Sequence, residues 1–329
     1  MAPYSPCSSG ARPARPSVRH LAPWVALWGT VGLAACAPSD GACHLGTVGD
    51  LPVLNDTHQP LVRATINDHP VAFIVDSGAE FSTLSRASAD RYGAIAQSGD
   101  VFMQGAGGAT MGGLAKIDKL GLGSATAQDV IFTVVGERLG GTVRGLPVVG
   151  LFGDDFMSQY DVVYDLPDHK INLYRVAGCA EGDLPLWPGR AHRIPIRYTT
   201  GRTPRIIVKL HLDGHPIDAI LDSGAWRTVI STSDAHAAGV TDAALRHDPT
   251  RNSIGIDDND NRTYLHRFDT LRIGGDFVLN HPQLAVTDTD QTLLGADFFR
   301  THRVWLSRRQ DAMYVQALQE GRPAPDAPR

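Results

Sequence analysis

The sequence predicts an all-β protein assembled from two related halves, on three observations. The string Asp-Ser-Gly-Ala occurs at Asp76–Ala79 and again at Asp222–Ala225, each time directly after an apolar run, Phe73-Ile74-Val75 and Ala219-Ile220-Leu221. The flanks repeat as well. At an offset of 146 residues, Val62, His69, Pro70, Ile74, Ser85, Ala89 and Gly93 recur as Val208, His215, Pro216, Ile220, Ser231, Ala235 and Gly239, which marks an internal duplication. Both copies are filled by short alternating or apolar runs separated by Gly, Asp-Gly, Asn-Asp and Pro turn signals, the spacing of a β-sheet protein.

In chain order, the first 35 residues stand apart from the fold. Arg12, Arg15 and Arg19 precede an uncharged apolar run from Leu21 to Ala35, the order of a signal peptide. The run ends in Leu33-Ala34-Ala35-Cys36, which resembles the lipobox of bacterial lipoproteins. On that reading 1–35 is a lipoprotein signal peptide, Cys36 is the lipidated residue, and 36–50 is a tether to a periplasm-facing membrane of the bacterial cell envelope. No acidic residue follows Cys36 directly, which favours the outer membrane. An ordinary secretory signal cut nearby is the alternative.

With Cys7 removed and Cys36 acylated, only Cys43 and Cys179 remain. In an oxidising compartment two cysteines suggest one disulfide, here between the segment before half one and the linker after it; two unrelated thiols are the alternative. The formal net charge of −5 becomes more negative once three arginines leave with the signal, so the mildly acidic mature chain gives no support to nucleic-acid binding. No second apolar stretch is long enough to span a membrane.

Half one is expected over 51–175, a Gly/Pro/Ala-rich linker over 176–193, half two over 194–317, and a disordered, Pro-rich tail over 318–329. Ser85 and Ser231 are placed to cap brief helices ending before Gly93 and Gly239. A second shared block closes each half, Leu151-Phe152-Gly153-Asp154-Asp155-Phe156 and Leu293-Leu294-Gly295-Ala296-Asp297-Phe298. Between the shared blocks lie glycine-marked hairpin candidates, with Gly105, Gly107 and Gly108 in half one and Gly255 in half two. The acidic run Asp257-Asp258-Asn259-Asp260-Asn261 has Arg262 where a calcium loop needs glycine and Phe268 where it needs glutamate, so it reads as a solvated hairpin tip. The 13 histidines show no zinc-type spacing, and His69 and His215, each before a proline, read as hairpin residues.

An aspartate at the end of a buried strand, followed by Ser-Gly, is held at a strand-to-turn junction where glycine lets backbone amides approach the carboxylate. Two such aspartates meet the requirement of hydrolysis by a carboxylate pair sharing one proton. The residues Asp76-Ser77-Gly78-Ala79 and Asp222-Ser223-Gly224-Ala225 each pair with a hydrophobic-hydrophobic-Gly element, Leu151-Phe152-Gly153 and Leu293-Leu294-Gly295, whose glycines lie 77 and 73 residues downstream of the aspartates. On these motifs the chain resembles a retropepsin-type aspartic protease, in a bacterial form with both halves fused. The resemblance implies two retropepsin-like β-barrel halves related by a pseudo-twofold axis. It assigns catalysis to Asp76 and Asp222 and support of the catalytic loops to Ser77, Gly78, Ser223 and Gly224. Gly153 and Gly295 fall in ψ-shaped strand crossings, and the glycine-rich hairpins become flaps. It implies a protein or peptide substrate, no cofactor or metal, and a monomer sufficient for activity.

The halves differ after the shared motif, with Glu80-Phe81 in one and Trp226-Arg227 in the other, so the cleft is expected to be lopsided. Glu80 and Arg227 are either substrate contacts or plain surface charges, and Trp226 is either a wall for a substrate side chain or a packed aromatic. The leading function is an aspartic endopeptidase acting on envelope or periplasmic proteins. The alternatives are a catalytically silent, protease-like fold that binds peptides or proteins, and a structural lipoprotein; retention of Asp-Ser-Gly in both halves argues against these.

Overall fold

The computed structural model describes residues 43–105, 108–137, 139–184, 187–200, 204–254 and 260–317. The signal segment, Cys36, Gly107, Gly255, Asp257 and the 318–329 tail lie outside them. Among the described residues no helix is long and apolar enough to cross a membrane.

Each half opens on a tight hairpin. Leu61–Ile66 pairs antiparallel with His69–Val75, and Ile206–Leu212 with His215–Leu221. The two-residue turns are Asn67-Asp68 (φ 48° and 68°) and Asp213-Gly214 (φ 46° and 85°). Both central residues have positive φ, the turn that matches the right-handed twist of the flanking strands. His69 and His215 are the exposed first residues after these turns.

The second strand of each hairpin is then buried on both faces at its C-terminal end, because its other edge pairs in parallel with the hydrophobic-hydrophobic-Gly strand. Ile74 lies opposite Leu151 and Val75 opposite Phe152; Ile220 lies opposite Leu293 and Leu221 opposite Leu294. Thr83–Leu84 and Val229–Ser231 insert on the far side of those strands. This explains why the runs before Asp76 and Asp222 are continuously apolar where a half-buried strand would alternate.

In half one, Leu61–Ile66, His69–Val75, Leu146–Phe152, Thr83–Leu84, Ala125–Val134 and Gly108–Leu122 close into a barrel, since the last also pairs with the first (Ala64 opposite Leu122). Phe73, Phe132 and Phe152 fill it, with Phe73 stacked on Phe152 at 4.3 Å. Burying each such ring contributes about 1.5–3 kcal/mol. Half two follows the same plan with the long strand interrupted. Asp260–Arg267 pairs with Gln283–Thr287, Thr270–Ile273 pairs with Ile206–Leu212, and Phe268 is buried at the break. The helices are short, as the caps imply: Ser85 accepts from Ser88 N ahead of Arg86–Arg91, and Ser231 accepts from Asp234 N ahead of Thr232–Ala237.

One antiparallel sheet joins the halves, in the order His44–Pro52, Lys170–Ala177, Asp161–Asp165, His302–Ser307, Ala312–Ala317, His192–Tyr198. At its centre Val163 of half one lies opposite Trp305 of half two.

Two boundaries are corrected by this sheet. Residues 44–50, read as tether, form most of its edge strand, the counterpart of His192–Tyr198 in half two. Gly46 and Gly49 and a bulge between Thr47 and Gly49 hide it from periodicity, since an edge strand is held by backbone bonds on one side only. The linker is also more than a spacer. Leu184 is buried and Trp187 packs with it against Val163, Trp305 and Tyr314, beside a disulfide joining Cys43 to Cys179 (S–S 2.02 Å).

Candidate active site

The strands ending at Val75 and Leu221 deliver Asp76 and Asp222 to the place where the two halves' loops meet. Backbone bonds fix both turns: Asp76 N donates to Phe152 O and Asp222 N to Leu294 O, each 3.0 Å. Each carboxylate then accepts two amides from its own loop. Asp76 Oδ1 takes Gly78 N (2.9 Å) and Ala79 N (3.0 Å); Asp222 Oδ1 takes Gly224 N and Ala225 N (both 2.9 Å). The glycines are demanded by the opposite half. A Cβ on Gly78 would collide with the Asp222 carboxyl carbon, and one on Gly224 with that of Asp76. Each carboxyl thus packs against the glycine of the other half's loop.

The serines lock the loops reciprocally. Ser77 N donates to Ser223 Oγ and Ser223 N to Ser77 Oγ, both 3.0 Å. Their hydroxyls reach further, Ser77 Oγ to Leu221 O (2.8 Å) and Ser223 Oγ to Val75 O (2.7 Å). All four bonds cross between the halves and are buried.

Beneath the loops, the Gly153 and Gly295 strands cross so closely that a Cβ would strike the backbone of Phe81 or Arg227. The crossing is tied by Asp154 N to Ala79 O and Ala296 N to Ala225 O, each 2.8 Å.

Sequence reasoning missed a layer here. Asp155 Oδ1 accepts from Ser82 N (2.8 Å) and Ser82 Oγ (2.7 Å), and Asp297 Oδ1 from Thr228 N (2.7 Å) and Thr228 Oγ1 (2.8 Å). Ser82 and Thr228 in turn accept from the Gly153 and Gly295 amides. The available signal was the aspartate two residues after each of these glycines. Tyr164 was missed too. Fully buried, its hydroxyl lies against Ser223 and Ser77 without a hydrogen bond of ordinary geometry, and burial pushes its ionisation upward.

The aspartates keep partial contact with solvent, yet protein encloses their carboxyl groups and desolvation dominates. Burial raises Asp76 well above the ordinary carboxylate range, and the neighbouring Asp222 charge adds to the rise. Burial also raises Asp222, opposed by the Ala225 and Gly224 amides, the Asp76 hydrogen bond and the Arg205 charge. The pair titrates as a unit and shares a proton.

Of the remaining sequence candidates, Gly105 and Gly108 are directly opposed at the end of the Ile95–Gly105/Gly108–Leu122 hairpin. Glu80 faces Arg205 of half two, Nε to Oε1 3.8 Å, while Arg227 is exposed. No group of three or more His, Cys, Asp or Glu side chains gathers as a metal site among the described residues.

The chain is similar to known proteins. A DNA damage-inducible protein 1 from Kluyveromyces lactis is 25% identical over 173 residues, covering 49% of this chain and 38% of that protein; the chain thus spans well under half of the relative's length. The crystal structure of an aspartic proteinase from Irpex lacteus superposes with a TM-score of 0.53 at 15% identity, over 84% of this chain and 98% of that one, a likeness of fold. The family model described as aspartyl protease matches twice, at residues 62–156 and 208–298, more than half of the sequence and once for each Asp-Ser-Gly loop. The chain belongs to the aspartyl protease family.

Proposed function

We propose that the chain is an aspartic endopeptidase that hydrolyses peptide bonds of envelope or periplasmic proteins. The observation that carries this reading is the Asp76–Asp222 pair, two carboxyls each packed against the other's loop, with raised proton affinity, on interlocked loops. The ionised member of the pair draws the proton from a water held between the carboxyls as that water attacks the scissile carbonyl carbon. Its protonated partner donates to the carbonyl oxygen and stabilises the tetrahedral oxyanion. Collapse breaks the C–N bond while a carboxyl proton passes to the departing amine, and the pair returns with one shared proton. The hairpin ending at Gly105 and Gly108 acts as a flap; Phe102 and Met111, opposite one another on it and both exposed, offer apolar contact to a substrate chain.

Both loops, both serines and both crossing strands come from one chain, so a monomer suffices. The envelope location, with Cys36 as lipid anchor, rests on the Leu33–Cys36 motif. The test is cleavage of an unfolded protein by the purified mature chain. Hydrolysis abolished by a statine-type transition-state inhibitor and by Asp76→Asn is expected; hydrolysis indifferent to both would refute the reading.

A further inference from the structure

The fourth residue after each aspartate differs between the halves, and each reaches across to the opposite half. Glu80 meets Arg205; Trp226 meets His58, ring centroids 4.2 Å apart at 35°. The 146-residue offset that relates the halves carries Glu80 onto Trp226 and Gln59 onto Arg205. These contacts therefore lie at pseudo-equivalent places beside the two Asp-Ser-Gly loops, built from different chemistry. At the Glu80 end the side chains are mostly covered, 26% and 17% exposed. At the other end Gln59 replaces the arginine, and the indole of Trp226 is left 60% exposed.

The aromatic end is built, not incidental. His58 sits at φ 63°, a conformation that needs support in a residue other than glycine. Arg300 of half two supplies it by donating to Asn55 O (2.8 Å), His58 O (3.1 Å) and Thr57 O (3.3 Å). Asn55 braces the same loop through Thr57 O, Gln59 O and Leu61 N. This braced loop places the His58 imidazole against the indole, and most of the indole faces solvent four residues from Asp222.

We propose that Trp226 is a specificity-determining residue that seats one large apolar or aromatic substrate side chain, so that the cleft binds its substrate in a single direction. A covered ion pair offers no apolar surface, whereas an exposed indole on a braced loop gains from every apolar atom that covers it. A peptide threaded in reverse would place its apolar residue against Glu80 and Arg205. The proposal rests on the endopeptidase reading for the direction of cutting, but its binding half stands apart from it.

The experiment has two arms on the full mature chain. In the first, a peptide library is digested by wild type, Trp226→Phe and Trp226→Ala, and cut sites are read by mass spectrometry. Wild type and Trp226→Phe should prefer a large apolar residue about tenfold, at one position on one side of the scissile bond; in Trp226→Ala that ratio should fall close to one. In the second arm the Asp76→Asn protein, with and without Trp226→Ala, retains peptides from the same library, and only the protein with Trp226 should enrich apolar peptides. A cut-site profile that is symmetric, or unchanged by Trp226→Ala, overturns the proposal while leaving the endopeptidase reading intact. If nothing is cut but Trp226-dependent retention is seen, the endopeptidase reading falls and the substrate seat stands. Loss of vesicle binding in Trp226→Ala with unchanged peptide retention would make Trp226 a membrane contact and overturn the proposal.

Discussion

Ser77 and Ser223 each accept the other's backbone amide at 3.0 Å, so neither Asp-Ser-Gly loop is complete without the opposite half. Ser77→Ala leaves the Ser223 amide buried without a partner and frees the Leu221 carbonyl. An orphaned buried donor costs about 1–3 kcal/mol, so a loss of about 2–3 kcal/mol is expected in denaturant unfolding. Ser223→Ala should match it, and the double variant should cost less than the sum, because both belong to one network. Strict additivity would show that the serines act independently.

Tyr164 makes the opposite prediction from the same region. Its hydroxyl is buried without an ordinary hydrogen bond, so Tyr164→Phe removes an unsatisfied group and keeps the ring packed on Phe299 at 4.8 Å. Unfolding free energy should stay within about 1 kcal/mol of wild type or rise. A loss of 2 kcal/mol or more would reveal a bond donated to the serine pair.

The Cys43–Cys179 bridge spans 136 residues of sequence and pins the start of the edge strand against the linker. Cross-links over long loops stabilise by about 2–5 kcal/mol. Reduction, or Cys43→Ala with Cys179→Ala, should lower the melting temperature by several degrees, with early exchange of amides over His44–Pro52. An unchanged melting curve and unchanged protection would show that the edge strand holds without it.

What the sequence made legible was whatever the duplication wrote twice: Asp76 and Asp222, their Ser-Gly neighbours, the strands crossing beneath them, and the Ser85 and Ser231 caps. What it hid was held by backbone or by contacts between halves. The His44–Pro52 strand has glycines and exposed positions where periodicity looks for alternation. Asp155 and Asp297 bond to residues 73 and 69 positions away, and the facing of Glu80 and Arg205 exists only once the halves meet. The linker looked like a spacer because Leu184 and Trp187 are isolated apolar residues in a Gly/Pro-rich stretch; a sheet surface supplied by both halves buries them.

The dyad also sets a pH dependence of stability. The folded state raises the Asp76 pKa above its ordinary value, so it binds a proton that the unfolded chain has already released. That contribution is fully present below the unfolded carboxylate range, about 4, and is lost as pH rises through the raised folded value. Asp76→Asn keeps an oxygen for the Gly78 and Ala79 amides and cannot ionise. Its melting temperature relative to wild type should therefore climb from pH 3 to pH 7. A difference that is flat or falls over that range would show that burial does not raise the pair.

The central claim is that Asp76 and Asp222 form one intramolecular catalytic pair, and mixing single variants tests it most directly. Asp76→Asn and Asp222→Asn should each fold and each lose nearly all hydrolysis of an unfolded protein substrate, since the amide keeps the shape but cannot share the proton. Equimolar mixing of the two, including after joint unfolding and refolding, should leave activity at the level of the single variants. Recovery of a substantial fraction of wild-type activity on mixing would mean that the working pair is assembled between chains, and would contradict the account.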